Sequence, residues 1–483
     1  MKMKTFGKTT LVIFLFLLLQ YSFAANPPGY SIKIKVKGIK DTTCYLAYHF
    51  GDKQYLKDTA KVDSKGNFTF DGKDPLPGGI YMAVLPGKRY FEVIISGAEN
   101  NFSMETDTAD YAKNMKVKGS EENTIFYEYL RYIEPRGRTI DSLHKSLPKA
   151  KDKSDSTAIK ERMATLDKEI TDYRANFIVE HPTSFVTKIF KAIRPPQIPK
   201  DIEAKGDSAK YDYYKKHFFD DVDFSDDRMV RTPIFHQKLD EYIRKLVLQT
   251  PDSVIKEADI LIKKTNGNKE MFKYVVWYIT TTYETSNIMG MDAVFVHMVE
   301  KYYMTKKAYW VDSTTLYKIM ERALILKPLL LGKTAPALVL QDTLDVSHAL
   351  YDVKAKYTVV YFWDPNCGHC QKETPLLYKL YEKYYDKGVE VYAVNIATDK
   401  ERWKKYIRDN NLHWLNVHDQ FRRVSFKTLY DIYSTPVIYL LDEKKKIIAK
   451  RLGQEQLDEL LQRELKIKPD KKPISSGEEK PKP

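Results

Sequence analysis

The feature that most constrains this chain is Val359–Cys370, where an apolar run leads through a short turn to two cysteines. Val359–Trp363 has the composition of a strand buried on both faces of a parallel sheet. A helix is predicted to follow, from Gln371 onward. Paired thiols between a strand and a helix N-terminus are typical of a redox site, so the sequence predicts an α/β domain built around a reactive dithiol.

The other candidate ligands do not favour a metal or cofactor site. The chain has three cysteines, and the third, Cys44, lies in an alternating segment where we expect a buried free thiol rather than a redox partner. A zinc site would need two further ligands, and a haem attachment would need a histidine where Gln371 stands. We therefore expect no cofactor and no metal. The histidines of the central region are too widely separated for a ligand set: His144, His181, His217 and His236.

The N-terminus predicts export. Residues 1–10 are short and basic, Leu11–Leu19 is unbroken apolar sequence, and Ser22 and Ala24 supply the small residues of a cleavage site. We expect a signal peptide over residues 1–24 and a soluble protein of the periplasm or cell envelope. No second apolar stretch of spanning length is found, so we expect no membrane span.

The charge pattern argues against nucleic acid as a partner. The formal net charge is +14 over 483 residues, and removal of Lys2, Lys4 and Lys8 with the signal peptide leaves 14 − 3 = +11. The lysines are scattered among acidic residues, which describes a solvated surface.

The length is enough for about three domains, and the pattern changes along the chain accordingly. Short strands separated by Gly, Pro and Asn over residues 25–118 predict an antiparallel β sandwich or barrel. Residues 119–328 predict an all-α array, and residues 329–467 alternate strands and helices, with one of these helices expected over Phe421–Tyr430. Residues 468–483 predict a disordered tail.

The dithiol predicts a division of labour. Cys367, nearest the turn at the positive end of a helix, should be the exposed nucleophile, and Cys370 the shielded thiol that resolves the mixed disulfide. Glu373 follows Cys370 by three residues and could accept its proton, although a solvent-facing glutamate fits equally well. Thr435–Pro436 is a candidate cis peptide that could hold a substrate backbone beside the disulfide.

His369 bears on the direction of electron transfer. An imidazole beside Cys367 stabilises the thiolate and makes the disulfide easier to reduce. We expect a potential nearer that of protein disulfide isomerase, about −180 mV, than that of thioredoxin, about −270 mV. The difference corresponds to roughly 4 kcal/mol.

Residues 332–467 resemble a thioredoxin-fold domain of the TlpA/ResA type, a group of thiol–disulfide oxidoreductases of the bacterial cell envelope. Phe362–Trp363, Cys367–Cys370, Glu373 with Pro375, and Thr435–Pro436 stand at the family's positions. The resemblance implies that Cys367 is the nucleophile, Cys370 the resolving thiol and Glu373 the nearby acid. Tyr361 stands where thioredoxin itself has a buried aspartate. We assign Trp363, His369, Thr435 and Pro436 to substrate binding.

The leading hypothesis is that the protein is an exported enzyme that reduces or exchanges disulfides of envelope proteins. An unidentified thiol would supply its electrons. Homo-oligomerisation stays an open possibility. The alternative is an envelope binding or scaffold protein whose thioredoxin-like domain docks partners, which would suit the long β and helical extensions. A peroxidase of the peroxiredoxin type fits less well, because the Pro-x-x-x-Thr/Ser-x-x-Cys pattern is missing around Cys367.

Overall fold

The computed structural model describes residues 29–265, 267–421 and 423–467. The predicted signal peptide, residues 1–24, and the predicted disordered tail, residues 468–483, lie outside the described residues and stay predictions. Across the ranges described, no helix combines the length and the apolar content needed to cross a bilayer.

The described chain divides into two compact units. The first takes the described residues up to Leu246 together with Lys264–Tyr274, and the second takes Val247–Lys263 together with the described residues from Val275 onward. The helices after Val275 therefore belong to the same unit as the α/β region. The division into three folded domains remains a prediction.

The β-rich region of the first unit contains two four-stranded sheets, ordered β4-β1-β7-β8 and β3-β2-β5-β6. Neither order closes on itself in the described residues, so a barrel is not formed. Both sheets send alternate side chains into one apolar core, in which Cys44 is completely buried. The strands are β1 (Tyr30–Lys37), β2 (Thr42–Phe50), β3 (Lys53–Val62), β4 (Asn67–Gly72), β5 (Gly79–Val84), β6 (Tyr90–Ile95), β7 (Asn101–Asp107) and β8 (Lys116–Lys118).

The prediction of purely antiparallel pairing is wrong at one place. Strands β1 and β7 pair in parallel, with Ser31 opposite Asn101 and Lys37 opposite Asp107. The remaining pairs of the two sheets are antiparallel. A parallel neighbour needs a long crossover rather than a tight turn, and the intervening strands β2 to β6 supply it.

The predicted helical region is helical. Its first long helix is fixed to the sheet by Asn123, whose buried amide donates to the Ile94 carbonyl and accepts from the Ile94 N–H, both at 2.8 Å. The helices are α1 (Tyr111–Asn114), α2 (Glu121–Ser146), α3 (Lys153–Glu180), α4 (Phe185–Ile193), α5 (Lys200–Glu203), α6 (Asp207–His217), α7 (Pro233–Glu241), α8 (Pro251–Lys264), α9 (Lys269–Glu284), α10 (Asp292–Met298) and α11 (Ser313–Leu326).

The C-terminal region has the predicted α/β order around a seven-stranded sheet, β10-β9-β13-β12-β11-β14-β15. The helix predicted over Phe421–Tyr430 is wrong in length, because among the described residues of that range only Phe426–Leu429 is helical. The strands are β9 (Val339–Gln341), β10 (Ser347–Ala349), β11 (Tyr357–Trp363), β12 (Val389–Asn395), β13 (Leu415–His418), β14 (Val437–Asp442) and β15 (Ile447–Lys450). The helices are α12 (Gly368–Tyr384), α13 (Lys400–Asp409), α14 (Phe426–Leu429) and α15 (Gln454–Glu464).

Strand β11 is central, parallel to β12 on one side and antiparallel to β14 on the other. Its alternate side chains enter two different cores. Val359, Tyr361 and Trp363 face one, while Val360 and Phe362 face the other. This is why the strand reads as continuous apolar sequence rather than as an alternation. Its C-terminal end delivers the chain to the cysteines.

A buried lysine connects this fold to the helices that precede it in the second unit. Lys450, only 7% exposed, forms an ion pair with Asp292 of α10. Its ammonium group also donates to the Leu329 carbonyl at 2.6 Å. Burial lowers the pKa of Lys450, and the two partners offset part of the cost of burying the charge.

Candidate active site

The turn between β11 and α12 is held by hydrogen bonds to its own residues. The Cys367 N–H donates to the Asp364 carbonyl at 3.0 Å, and the Asn366 N–H donates to the Asp364 carboxylate at 2.7 Å. The Gln371 side chain returns from the first turn of the helix to the Pro365 carbonyl at 2.9 Å. These contacts place Cys367 at the N-cap of α12 in an extended conformation.

Cys367 occupies the position that favours a thiolate. Its side chain is partly exposed. Partial burial alone would raise its pKa, but hydrogen bonds from the Cys370 N–H, the Thr435 side chain, the Cys370 thiol and the His369 N–H outweigh burial and lower it. The unpaired N–H groups of a helix's first turn stabilise negative charge in this way.

Cys370 has the opposite environment. Its thiol is completely buried one turn into the helix. Burial raises its pKa to about 11, and the neighbouring Cys367 adds to the rise. Both cysteines are free thiols here, so the site is in its dithiol form. The pair thus combines an accessible, acidic thiol with a shielded, weakly acidic one.

The loop before β14 completes the site. The Thr435–Pro436 peptide bond is cis, as the sequence predicted. The Thr435 carbonyl oxygen lies 3.3 Å from the Cys367 sulfur and accepts a hydrogen bond from it. Thr435 and Pro436 are both partly exposed. A peptide approaching Cys367 would therefore meet the backbone of this loop.

The other predicted site residues differ in their exposure to solvent. His369 is exposed beside Cys367, and Glu373 is half-buried on the next turn. Trp363 is completely buried and packs its ring 5.3 Å from that of Tyr406. The assignment of Trp363 to substrate binding is therefore wrong for this form, because a core side chain at the end of β11 cannot meet a bound protein.

Sequence reasoning missed the hydroxyl groups that border Cys370. The Tyr361 hydroxyl and the Thr374 hydroxyl lie 2.8 Å apart in the core, and Tyr406 also hydrogen-bonds to Thr374. A thiolate at Cys370 would raise the pKa of both phenols. A signal for Thr374 was present, since it follows Cys370 by four residues and so lies on the same helix face. Nothing local identified Tyr406.

The described residues contain no group of three or more His, Cys, Asp and Glu side chains arranged to hold a metal ion.

Comparison with known proteins places the chain. Residues 331–450 match the AhpC/TSA family, residues 30–126 match Domain of unknown function (DUF4369), and residues 150–327 match Domain of unknown function (DUF5106). The thiol–disulfide oxidoreductase ResA of Bacillus cereus is 30% identical over 136 residues, which cover 28% of this chain and 78% of that protein. This chain belongs to the TlpA/ResA-like family of the thioredoxin superfamily. Like these relatives, it is a thiol–disulfide oxidoreductase.

Two further proteins are similar to this chain. ResA of Geobacillus thermodenitrificans is 32% identical over 134 residues, covering 27% of this chain and 76% of that protein. A solved domain of a possible thiol–disulfide isomerase from Cytophaga hutchinsonii is 52% identical and covers 29% of this chain and 99% of its own. Its TM-score is 0.28.

Proposed function

We propose that this TlpA/ResA-like protein is exported and reduces or exchanges disulfides of envelope proteins through the Cys367–Cys370 dithiol. The observation that carries the proposal is the contrast between the two thiols. Cys367 is accessible with a lowered pKa, whereas Cys370 is buried with its pKa raised to about 11. Nucleophilic attack requires the first property, and delayed resolution requires the second.

The reaction runs in two exchange steps. The Cys367 thiolate attacks one sulfur of a substrate disulfide, forming a mixed disulfide and expelling the other substrate sulfur as a thiolate. Cys370 then loses its proton and attacks the Cys367 sulfur, which forms the Cys367–Cys370 disulfide and releases the second substrate sulfur. Two electrons pass from the dithiol to the substrate, and the two protons lost by the cysteines balance those gained by the substrate thiolates. A thiol donor restores the dithiol.

The neighbouring residues receive roles consistent with their positions. The Thr435 carbonyl and Pro436 would align the substrate backbone beside Cys367, because this loop already contacts the sulfur at 3.3 Å. Glu373 would accept the proton of Cys370 in the second step, since it follows Cys370 by three residues on α12. His369, exposed beside Cys367, would contact the substrate and bias the potential.

Insulin reduction with single-cysteine variants tests the proposal. Cys367→Ser should abolish turnover, whereas Cys370→Ser should accumulate a mixed disulfide that a reductant releases. Cys44→Ser is the matched control, because Cys44 is equally buried but lies in the core of the β-rich region. Full activity in both Cys367→Ser and Cys370→Ser would refute the proposal, and intact partner capture without the cysteines would support the scaffold alternative instead.

Export rests on the sequence pattern of residues 1–24 and has its own test. The full-length gene expressed in a host with an outer membrane should give a periplasmic protein whose N-terminal residue is Ala25, by N-terminal sequencing of the osmotic-shock fraction. An uncleaved protein retained in the cytoplasm would contradict export without affecting the dithiol chemistry.

A further inference from the structure

The loop that presents Thr435 and Pro436 to the cysteines begins at Asp431. Asp431 is only 2% exposed and has a left-handed backbone, with φ of 57°. A buried carboxylate is costly unless it is paired with charge and hydrogen bonds. The residues that pair with Asp431 therefore determine where the loop can start.

One of those partners comes from outside the α/β fold. Arg322, on α11, reaches both carboxylate oxygens of Asp431, with Nη2 lying 3.1 Å from Oδ2 and Nη1 donating to Oδ1. This is the two-pronged geometry in which a guanidinium fixes the orientation of a carboxylate as well as its charge. The second partner, Arg451, follows β15 and also donates to the Asp431 carboxylate. Its side chain is 54% exposed, against 26% for Arg322.

Arg322 also contacts the middle of the loop. Its guanidinium carbon lies 5.6 Å from the centre of the Tyr433 ring, within the range of a cation–π contact. The Lys427 ammonium approaches the same ring at 4.8 Å. Tyr433 is two residues from Thr435, whose carbonyl contacts the Cys367 sulfur. One arginine of α11 thus touches the loop at Asp431 and again at Tyr433, immediately before the cis peptide.

We propose that Arg322 is a positioning residue that holds the Asp431–Pro436 loop in register with Cys367, so that helix α11 forms part of the redox site. This inference rests on the proposed function, because it concerns how the same dithiol meets its substrate. It gives the helices before the α/β region a role in the reaction. Arg451 keeps Asp431 partly paired when Arg322 is lost, so the loop loosens rather than unfolds.

A loosened loop has two measurable consequences. Thr435 acts on Cys367 in two ways: its side chain helps to lower the pKa of Cys367, whereas its carbonyl accepts a hydrogen bond from the neutral thiol and so favours the protonated form. Displacement of the loop removes both contacts and therefore shifts the titration of Cys367. The Thr435–Pro436 backbone also becomes less well placed for a substrate, which weakens substrate binding more than it slows the exchange step. The groups that face the Cys367 sulfur in this structure are Thr435, Cys370 and the His369 N–H.

The experiment compares full-length Arg322→Ala and Arg322→Lys with Lys318→Ala. Lys318 is an exposed residue of the same helix, one turn earlier, so its removal deletes the same charge without touching the loop. The readouts are the pH profile of iodoacetamide alkylation of Cys367 and the split between KM and kcat for a disulfide-bridged insulin peptide. For Arg322→Ala we expect a midpoint shifted from that of the wild type and a KM raised about fivefold, with kcat changed less. Arg322→Lys should lie between Arg322→Ala and the wild type, and Lys318→Ala should match the wild type.

Each outcome decides the question. An unchanged midpoint and KM in folded Arg322→Ala, or equal shifts in Lys318→Ala, would overturn the positioning role. If thermal unfolding shows that Arg322→Ala does not fold, Arg322→Lys decides by the same readouts, because lysine keeps the charge but lacks the two-pronged donor. If the wild-type protein is alkylated at Cys367 but reduces no disulfide, the proposed function is refuted. The alkylation midpoints of the variants would still test the positioning role of Arg322.

Discussion

Alkylation should distinguish the two thiols of the redox pair. The perturbation is a pair of single-site variants, Cys370→Ser, which leaves Cys367 at the helix N-terminus, and Cys367→Ser, which leaves the buried Cys370. Both retain Cys44. Because Cys44 is completely buried and burial raises its pKa to about 11, it serves as an internal reference for an unreactive thiol in each sample.

The expected difference follows from the two pKa values. That of Cys367 lies below the ordinary 9.0, and that of Cys370 is about 11. At pH 7 their thiolate fractions therefore differ by at least about a hundredfold. A thiolate of lower pKa is also intrinsically less nucleophilic. With a Brønsted slope of about 0.5, this effect reduces the hundredfold advantage of Cys367 by about a factor of ten. The rate for Cys367 should thus exceed that for Cys370 by at least about tenfold, before the shielding of Cys370 widens the gap.

The assay is iodoacetamide labelling from pH 5 to pH 10, with peptide mass spectrometry to identify the labelled residue. Labelling of Cys367 should reach half its maximum below pH 9, because its pKa is lowered. Labelling of Cys370 should stay as slow as that of Cys44 across the neutral range. Equal rates for Cys367 and Cys370 at pH 7 would refute the division of labour, whichever residue proved faster at high pH.

Three further predictions concern single residues. Tyr361→Phe removes a buried hydroxyl bonded to Thr374 and should lower the free energy of unfolding by about 1 kcal/mol in urea titration; no loss would contradict the contact. Lys450→Met leaves Asp292 without its ion pair and should cost about 2 kcal/mol, whereas the exposed Lys444→Met should cost little; equal losses would refute the buried pair. His369→Pro removes both the imidazole and an N–H that stabilises the Cys367 thiolate. Its potential should fall by up to about 90 mV in a glutathione titration, and a rise would show that His369 does not favour the dithiol.

Local sequence predicted the parts of the site that local chemistry determines. The apolar run before the cysteines, the helix N-terminus at Cys367 and the cis peptide at Thr435–Pro436 were all found, because each depends on neighbouring residues. The same reasoning overextended the helix at Phe421–Tyr430. The Val424 N–H there donates to the Asp419 carboxylate at 2.7 Å, and among the described residues of the range only Phe426–Leu429 is helical.

Contacts distant in sequence were not predictable in this way. The parallel pairing of β1 with β7 joins residues about 70 positions apart. The alternation of apolar and polar residues within each strand does not indicate which strand it pairs with. The burial of Trp363 depends on α13, whose Tyr406 packs against the indole. Arg322 pairs with Asp431 across 109 residues of sequence. The residues around Arg322, on a helix of mixed composition, do not indicate this partner.

Two ion pairs of the second unit, Arg322–Asp431 and Lys450–Asp292, bear on which fragments of this protein keep its site intact. Asp431 and Lys450 belong to the C-terminal fold, but Arg322 and Asp292, their partners, precede residue 329. A fragment starting at residue 329 would keep the cysteines and the sheet, but Lys450 would lose its ion-pair partner Asp292 and Asp431 would keep only Arg451 of its two arginines. Such a fragment would report on the intrinsic chemistry of the dithiol but not on the enzyme's loop. Grafting this fold behind another helical segment would require both partners to be rebuilt.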